Sequence, residues 1–241
     1  MRYTLVDIET RIDKGLVREI YFPHAEISEE DAYTQARERL RQEQGNDFFP
    51  ISFHIPISIA IGQVNDDRLL TTVETINEHD YSEESIVCAF WQRLERFSGT
   101  LITFNGRNFD LPVLELQALK YRCQAPRYFS GKHRNRYAEE GHFDLYDFLT
   151  NYGVHRLRGG FHLLAKLIGL PGKTDIDGSM VQQLWQEGCL SDIHRYCRQD
   201  VIQTYFLFLR VELLRGHLTL EQYERAFEQT ARFREGLEKG L

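Results

Sequence analysis

The sequence predicts an α/β fold in which one mixed sheet has helices packed against it, and three observations carry that expectation. Its 241 residues are enough for one large domain with a sizeable core. Strand-like runs crowd the first hundred or so residues, and helical spacing of apolar positions dominates afterwards. No repeat, low-complexity linker or break in composition divides the chain, so it reads as a single domain over 1–241.

Taken in order, Tyr3–Glu9 is a short apolar run that reads as the first strand. Alternation sets Leu5, Asp7 and Glu9 on one face and Thr4, Val6 and Ile8 on the other. A polar, charged stretch over about 28–45, with Ser28 able to cap it, reads as an exposed helical insertion. Ile51–Val64 and Leu69–Ile76, separated by Asn65-Asp66-Asp67-Arg68, predict a β-hairpin in which Pro56 marks an edge or a bulge. Ser82–Phe97 has helical spacing at Ile86, Phe90, Leu94 and Phe97, with Gly99 closing it. Leu101–Phe104 is a brief buried strand, and after an Asn105-Gly106 turn a helix runs over Leu111–Tyr121. Helices are then expected at Leu145–Asn151, Phe161–Ile168, Met180–Glu187 and Ser191–Leu214. The last, over about 220–238, opens with Thr219 and Gln222 at capping-box spacing.

Composition narrows the function. A net charge of −7 argues against a protein that coats nucleic acid through bulk positive charge, yet suits one that gathers acids to hold metal. No run approaches the roughly eighteen apolar residues of a membrane span. Cys88, Cys123, Cys189 and Cys197 lack C-x-x-C spacing, so neither a disulfide framework nor structural zinc is expected and a reducing cytoplasm is the default location.

Three local motifs carry chemistry. Asp7-Ile8-Glu9 puts two carboxylates on one strand face, where they repel unless solvated, paired or bridged by a divalent cation such as Mg²⁺ or Mn²⁺. Phe104-Asn105-Gly106-Arg107-Asn108-Phe109-Asp110 falls where a strand ends and a helix begins; Asp110 either projects over the sheet edge or caps the helix. Tyr196-Cys197-Arg198-Gln199-Asp200 lies in a helix with an apolar stripe at Ile193, Cys197, Thr204, Phe208 and Val211. Asp200 falls on that inward stripe beside Tyr196, where a carboxylate needs either a cationic partner or a metal.

Together and in this order, D-x-E, N-x-x-x-F-D and Y-x-x-x-D resemble the three exonuclease motifs of the DEDD superfamily, in its tyrosine-containing branch. The pattern is similar to the proofreading exonuclease domain of family B DNA polymerases and to its stand-alone bacterial relatives. Two further stretches join the resemblance: Phe161–Lys173, with its Leu-Gly turn and following lysine, and His142-Phe143-Asp144-Leu145. One position departs, because Phe104 stands where the polymerase pattern usually has tyrosine.

The resemblance implies a ribonuclease H-like fold, a mixed five-stranded sheet flanked by helices. It implies a 3′→5′ exonuclease acting on single-stranded DNA or RNA with a free 3′ end, DNA favoured, and releasing nucleoside 5′-monophosphates. Asp7, Glu9, Asp110 and Asp200 would hold two Mg²⁺ or Mn²⁺ ions, and Tyr196 would aim the attacking water. Asn105 and Phe109 either line the pocket for the terminal nucleotide or serve as turn residue and core aromatic. Lys173 either meets a phosphate or is a surface lysine, and Asp144 is an outer-shell acid or a helix cap. The interleaved cations and aromatics of 127–137 fit either a single strand or a solvated loop. Two other functions stay open: a non-catalytic nucleic-acid-binding module of the same fold, and a phosphodiesterase acting on very short oligonucleotides. The first would be expected to have lost an acidic ligand, and none is missing.

Overall fold

The computed structural model describes residues 2–170 and 180–238. Its first half holds β1 (Tyr3–Ile12), α1 (Lys14–Tyr21), α2 (Glu29–Gln44), β2 (His54–Val64), β3 (Leu70–Thr75), α3 (Glu83–Arg96) and β4 (Thr100–Thr103). Then follow α4 (Asp110–Tyr121), α5 (Pro126–Ser130), β5 (His142–Asp144), α6 (Leu145–Leu149), α7 (Gly160–Leu167), α8 (Val181–Gln186), α9 (Leu190–Leu214) and α10 (Leu220–Glu238).

The five strands form one sheet in the order β3-β2-β1-β4-β5. The β1–β2 and β2–β3 pairs are antiparallel, whereas β1–β4 and β4–β5 are parallel. β1 is therefore central, and its alternating side chains feed two cores. Tyr3 and Leu5 join a core with Cys197, Val201 and Tyr205 of α9. Val6 and Ile8 join another, on the opposite face, with Phe90 and Trp91 of α3 and Leu111 and Leu114 of α4. The sheet is thus sandwiched between helices.

α9 lies close against the sheet because β2 presents small residues beneath it. A Cβ added at Gly62, which pairs with Leu5, would sit 2.8 Å from a Val201 methyl carbon. Caps set several helix starts. Ser28 accepts the Asp31 N–H at the head of the insertion, and Ser82 and Ser85 form a reciprocal box at α3. Thr219 and Gln222 do the same at α10, as their spacing predicts.

Some expectations need correction. The expected first strand, Tyr3–Glu9, runs on to Ile12, and α1, α5 and the three-residue β5 have no forecast counterpart. The expected start of the hairpin at Ile51 is instead a 3₁₀ turn, Ile51–Phe53, ahead of β2. Of the two readings of Pro56 the bulge holds, because β2 is an interior strand. No disulfide was expected from the cysteine spacing, yet Cys88 and Cys123 are joined, with their Cα atoms 5.7 Å apart. They come together because α3 packs on α4, a tertiary contact that spacing does not reveal.

Candidate metal centre

β1 carries the first two acids. β4 pairs with β1 only as far as Leu5↔Ile102, so Asp7 and Glu9 extend past the carboxyl end of β4. That is the edge where open α/β sheets gather ligands. On the other side β2 continues alongside, Asp7 opposite Ala60 and Glu9 opposite Ser58. The register then shifts, pairing Thr10 with Pro56 and leaving Ile57 as the extra residue of a bulge. A bulge bends its strand and re-aims side chains, here immediately after Glu9.

α9 brings the third acid. Its stripe at Ile193, Cys197, Thr204, Phe208 and Val211 is buried as the spacing predicts. One carboxylate oxygen each from Asp7, Glu9 and Asp200 lies within 4.8 Å of the others. The Cys197 thiol, three residues before Asp200, donates to the Asp7 main-chain oxygen at 3.4 Å and approaches its Oδ2 at 3.7 Å. Helix and strand therefore touch at the acid itself. Tyr196 is buried one helical turn before Asp200, packed with Ile57, Val181 and Ile193.

Asp110 comes from the opposite face. It is the first residue of α4, and no side chain caps that helix, so Asp110 is not spent as a cap. Its carboxylate accepts the backbone N–H of Ile8, the residue between Asp7 and Glu9, at a point where β4 no longer pairs. Burial pushes its pKa up to about 7, and the nearby charges of Asp144 and Asp200 add to the rise, while its own N–H and that of Ile8 oppose it. Asp110 thus adjoins the three-acid group without belonging to the set within 4.8 Å.

The turn that delivers Asp110 is tightly built. Asn105 takes a left-handed conformation (φ 65°), which asparagine tolerates, and its Oδ1 accepts from Asn108 at 2.8 Å. A Cβ at Gly106 would fall 2.6 Å from the Thr103 side chain, so the turn requires glycine there. Asp144 holds the turn from below. Its carboxylate accepts the N–H groups of Asn105 and Arg107, each at 2.9 Å, while also capping α6 through Tyr146 at 2.9 Å and Asp147 at 3.4 Å. Of the two readings of Asp144, the helix cap is the one the structure shows, and the same carboxylate braces the turn. Burial raises its pKa, and the N–H donors pull it back.

Arg107 was not singled out from the sequence, although its place in the middle of the second motif was the available signal. Its guanidinium donates to the carbonyls of His133 (2.9 Å), Asn135 (3.2 Å) and His142 (2.8 Å), tying the 131–137 loop to β5. Most cations of that loop are matched by acids: Lys132 by Glu140, Arg134 by Glu115 and Arg136 by Asp147. These pairs occupy the cations, while Tyr128 and His133 are buried, so 127–137 is part core rather than the solvated loop of the alternative reading. Phe109 precedes Asp110 and packs edge-on to His54, while Lys173 lies outside the described residues.

A divalent cation fits this donor set. Three hard carboxylate oxygens converge from two elements, and a fourth, buried carboxyl adjoins them with its pKa raised. Like charges so placed repel, and a bound cation removes that conflict. Among the described residues no helix is long and apolar enough to cross a membrane.

The sheet order and the acids at the carboxyl end of its parallel pair define a ribonuclease H-like domain with a carboxylate centre. A family model described as "Predicted 3'-5' exonuclease related to the exonuclease domain of PolB" matches residues 46–239, and the chain belongs to that family. Among solved structures it is similar to the family B DNA polymerase of the hyperthermophilic archaeon Pyrobaculum calidifontis, with a TM-score of 0.56 and 13% identity over 88% of this chain. The match spans only 24% of the polymerase chain, and at this identity it establishes the fold alone. No curated protein matches the sequence.

Proposed function

We propose that the protein shortens single-stranded nucleic acid from its 3′ end, DNA in preference to RNA, and releases nucleoside 5′-monophosphates. The observation that supports this most is the meeting of Asp7, Glu9 and Asp200 within 4.8 Å, with Asp110 on the Ile8 N–H beside them. These four are the residues that would hold two Mg²⁺ or Mn²⁺ ions, which when bound acidify a water and stabilise charge on the phosphate and the leaving oxygen.

The remaining work falls to the chain. The Tyr196 hydroxyl, one turn before Asp200, would orient the attacking water. Glu9 would also accept the 3′-terminal hydroxyl. Asn105 and Phe109, fixed by the turn that Asp144 clamps, would flank the terminal nucleotide. Lys173 would meet a phosphate.

Matched single-stranded DNA and RNA, labelled at the 5′ end and digested with Mn²⁺, test the reading. A ladder shrinking from the 3′ end is expected, and Asp7→Ala should abolish it while leaving the melting temperature within a few degrees. Strands that bind but stay intact would instead favour a non-catalytic module. Cleavage of dinucleotides without processing of longer strands would favour the short-oligonucleotide phosphodiesterase.

A further inference from the structure

We propose that Phe48, carried on the loop between α2 and β2, forms a stacking subsite for a nucleobase at the mouth of the carboxylate centre. The subsite rests on the reading above for the identity of its ligand, a single nucleic-acid strand.

A lone exposed aromatic means little by itself. Phe48 differs because both its neighbours are anchored. Asp47 is gripped by Arg37 and Arg41 at 2.7 and 2.8 Å. Phe49 is buried and stacks on Tyr33, with ring centres 5.4 Å apart and planes 12° from parallel. The Phe48 N–H itself donates to Asn46 Oδ1 at 3.0 Å. The backbone is thus held on both sides while the residue stays 54% exposed. A ring fixed before binding loses little freedom when a base lands on it.

The ring is also coupled to the acids. Phe48, His54 and Phe109 form a closed triangle with centre-to-centre distances of 5.0 Å (Phe48–His54), 5.6 Å (Phe48–Phe109) and 5.0 Å (His54–Phe109). Phe109 is covalently next to Asp110, and His54 Nδ1 lies 2.8 Å from the Thr10 hydroxyl, next to Glu9. Burial lowers the pKa of His54, so its imidazole serves as a neutral platform. The ring is thus linked by packing to residues adjacent in sequence to two of the four acids, Asp110 and Glu9.

Charge gives the subsite its purpose. A phosphate strand approaching four carboxylates on a chain of net charge −7 is repelled until cations are bound. Stacking supplies attraction without charge and tolerates any base, because every base has a π-face.

Phe48→Leu keeps apolar bulk and removes the aromatic face, whereas Phe48→Trp enlarges that face. Binding of a 5′-labelled oligothymidylate and its Mn²⁺-dependent shortening would be measured for both variants, together with melting temperature. The expectation for Phe48→Leu is a roughly tenfold rise in Kd and KM, with kcat and melting temperature nearly unchanged. Phe48→Trp should restore both constants, and its added fluorescence, taken against wild type, should be quenched by the strand. Unchanged Kd for Phe48→Leu and no quenching, on a strand that is still degraded, would overturn the subsite and leave the nuclease reading standing. A lower melting temperature at unchanged Kd would assign Phe48 to packing and likewise overturn it. Binding with quenching but no cleavage by wild type would keep the subsite and sink the nuclease reading. Neither binding nor cleavage would sink both.

Discussion

The turn between β4 and α4 lies between two buried aspartates, Asp144 on β5 and Asp110 at the head of α4, that do opposite things. Asp144, at its anchored end, is 4% exposed and receives N–H groups from Asn105, Arg107, Tyr146 and Asp147. Asp110, at its open end, is 6% exposed, accepts from its own N–H and that of Ile8, and faces the charges of Asp144 and Asp200. Equal burial thus yields unequal chemistry. A carboxylate surrounded by backbone donors is a fixture, whereas one set against other carboxylates is primed for a cation. The fixture holds the turn; the primed group uses it.

Breaking the open end should have the larger effect. Asp110→Asn keeps the shape and removes the charge, and a loss of about 10³-fold in kcat is expected, as for other groups that stabilise transition-state charge. Its melting temperature should be unchanged or higher, because a like charge has gone. Steady-state kinetics beside thermal melting separates these effects, and near-wild-type turnover would remove Asp110 from the site.

At the anchored end, Asp144→Asn leaves one acceptor oxygen and turns amide hydrogens toward backbone N–H groups. Activity should fall about 10–100-fold, the usual range for a residue that acts through others. The unsatisfied donors should cost about 1–3 kcal/mol, or several degrees in melting temperature. If activity falls with no change in stability, the clamp is not the cause.

pH should separate the two further. With a folded pKa raised from 3.8 to about 7, Asp110 keeps a proton in the folded state that the unfolded chain releases. Stability of the metal-free protein should therefore decline as pH rises from about 4 to 7 and level off above. A cation competes with that proton, so Mn²⁺ affinity should climb with pH, by at most about tenfold per unit below 7, and then flatten. Thermal shifts with Mn²⁺ at pH 6 and pH 8 check this, and Asp110→Asn should remove most of the difference.

The smallest effect on turnover is expected at the far end of α4, where Cys88 and Cys123 are joined. At a sequence separation of 35, the chain-entropy argument allows up to about 4 kcal/mol of stabilisation. Cys88→Ser should thus lower the melting temperature but leave kcat near wild type below it. A parallel loss of kcat would mean that the disulfide, not the turn, positions Asp110.

How much of this could be read from the sequence follows from where each signal is local. The buried stripe of α9 around Asp200, the Ser28 cap and the Thr219–Gln222 box depend on residues three or four apart, and each appears as expected. Asp7 and Glu9 could be set on one face by alternation alone. What bound them to Asp110 could not, because the Ile8 N–H is free to receive it only where β4 ends. The clamp by Asp144, the Arg107 tie and the Phe48 triangle likewise join residues distant in sequence. Pro56 left edge and bulge open, and only the strand order decides for the bulge, which excuses proline from the ladder on an interior strand.

The most direct test of the central claim is calorimetric titration of Mn²⁺ into wild type, Asp110→Asn and Asp144→Asn at pH 8. Two bound ions for wild type, sharply weakened binding for Asp110→Asn and the milder weakening expected of a supporting residue for Asp144→Asn are predicted. No binding by wild type, or equal binding by wild type and Asp110→Asn, would contradict the account.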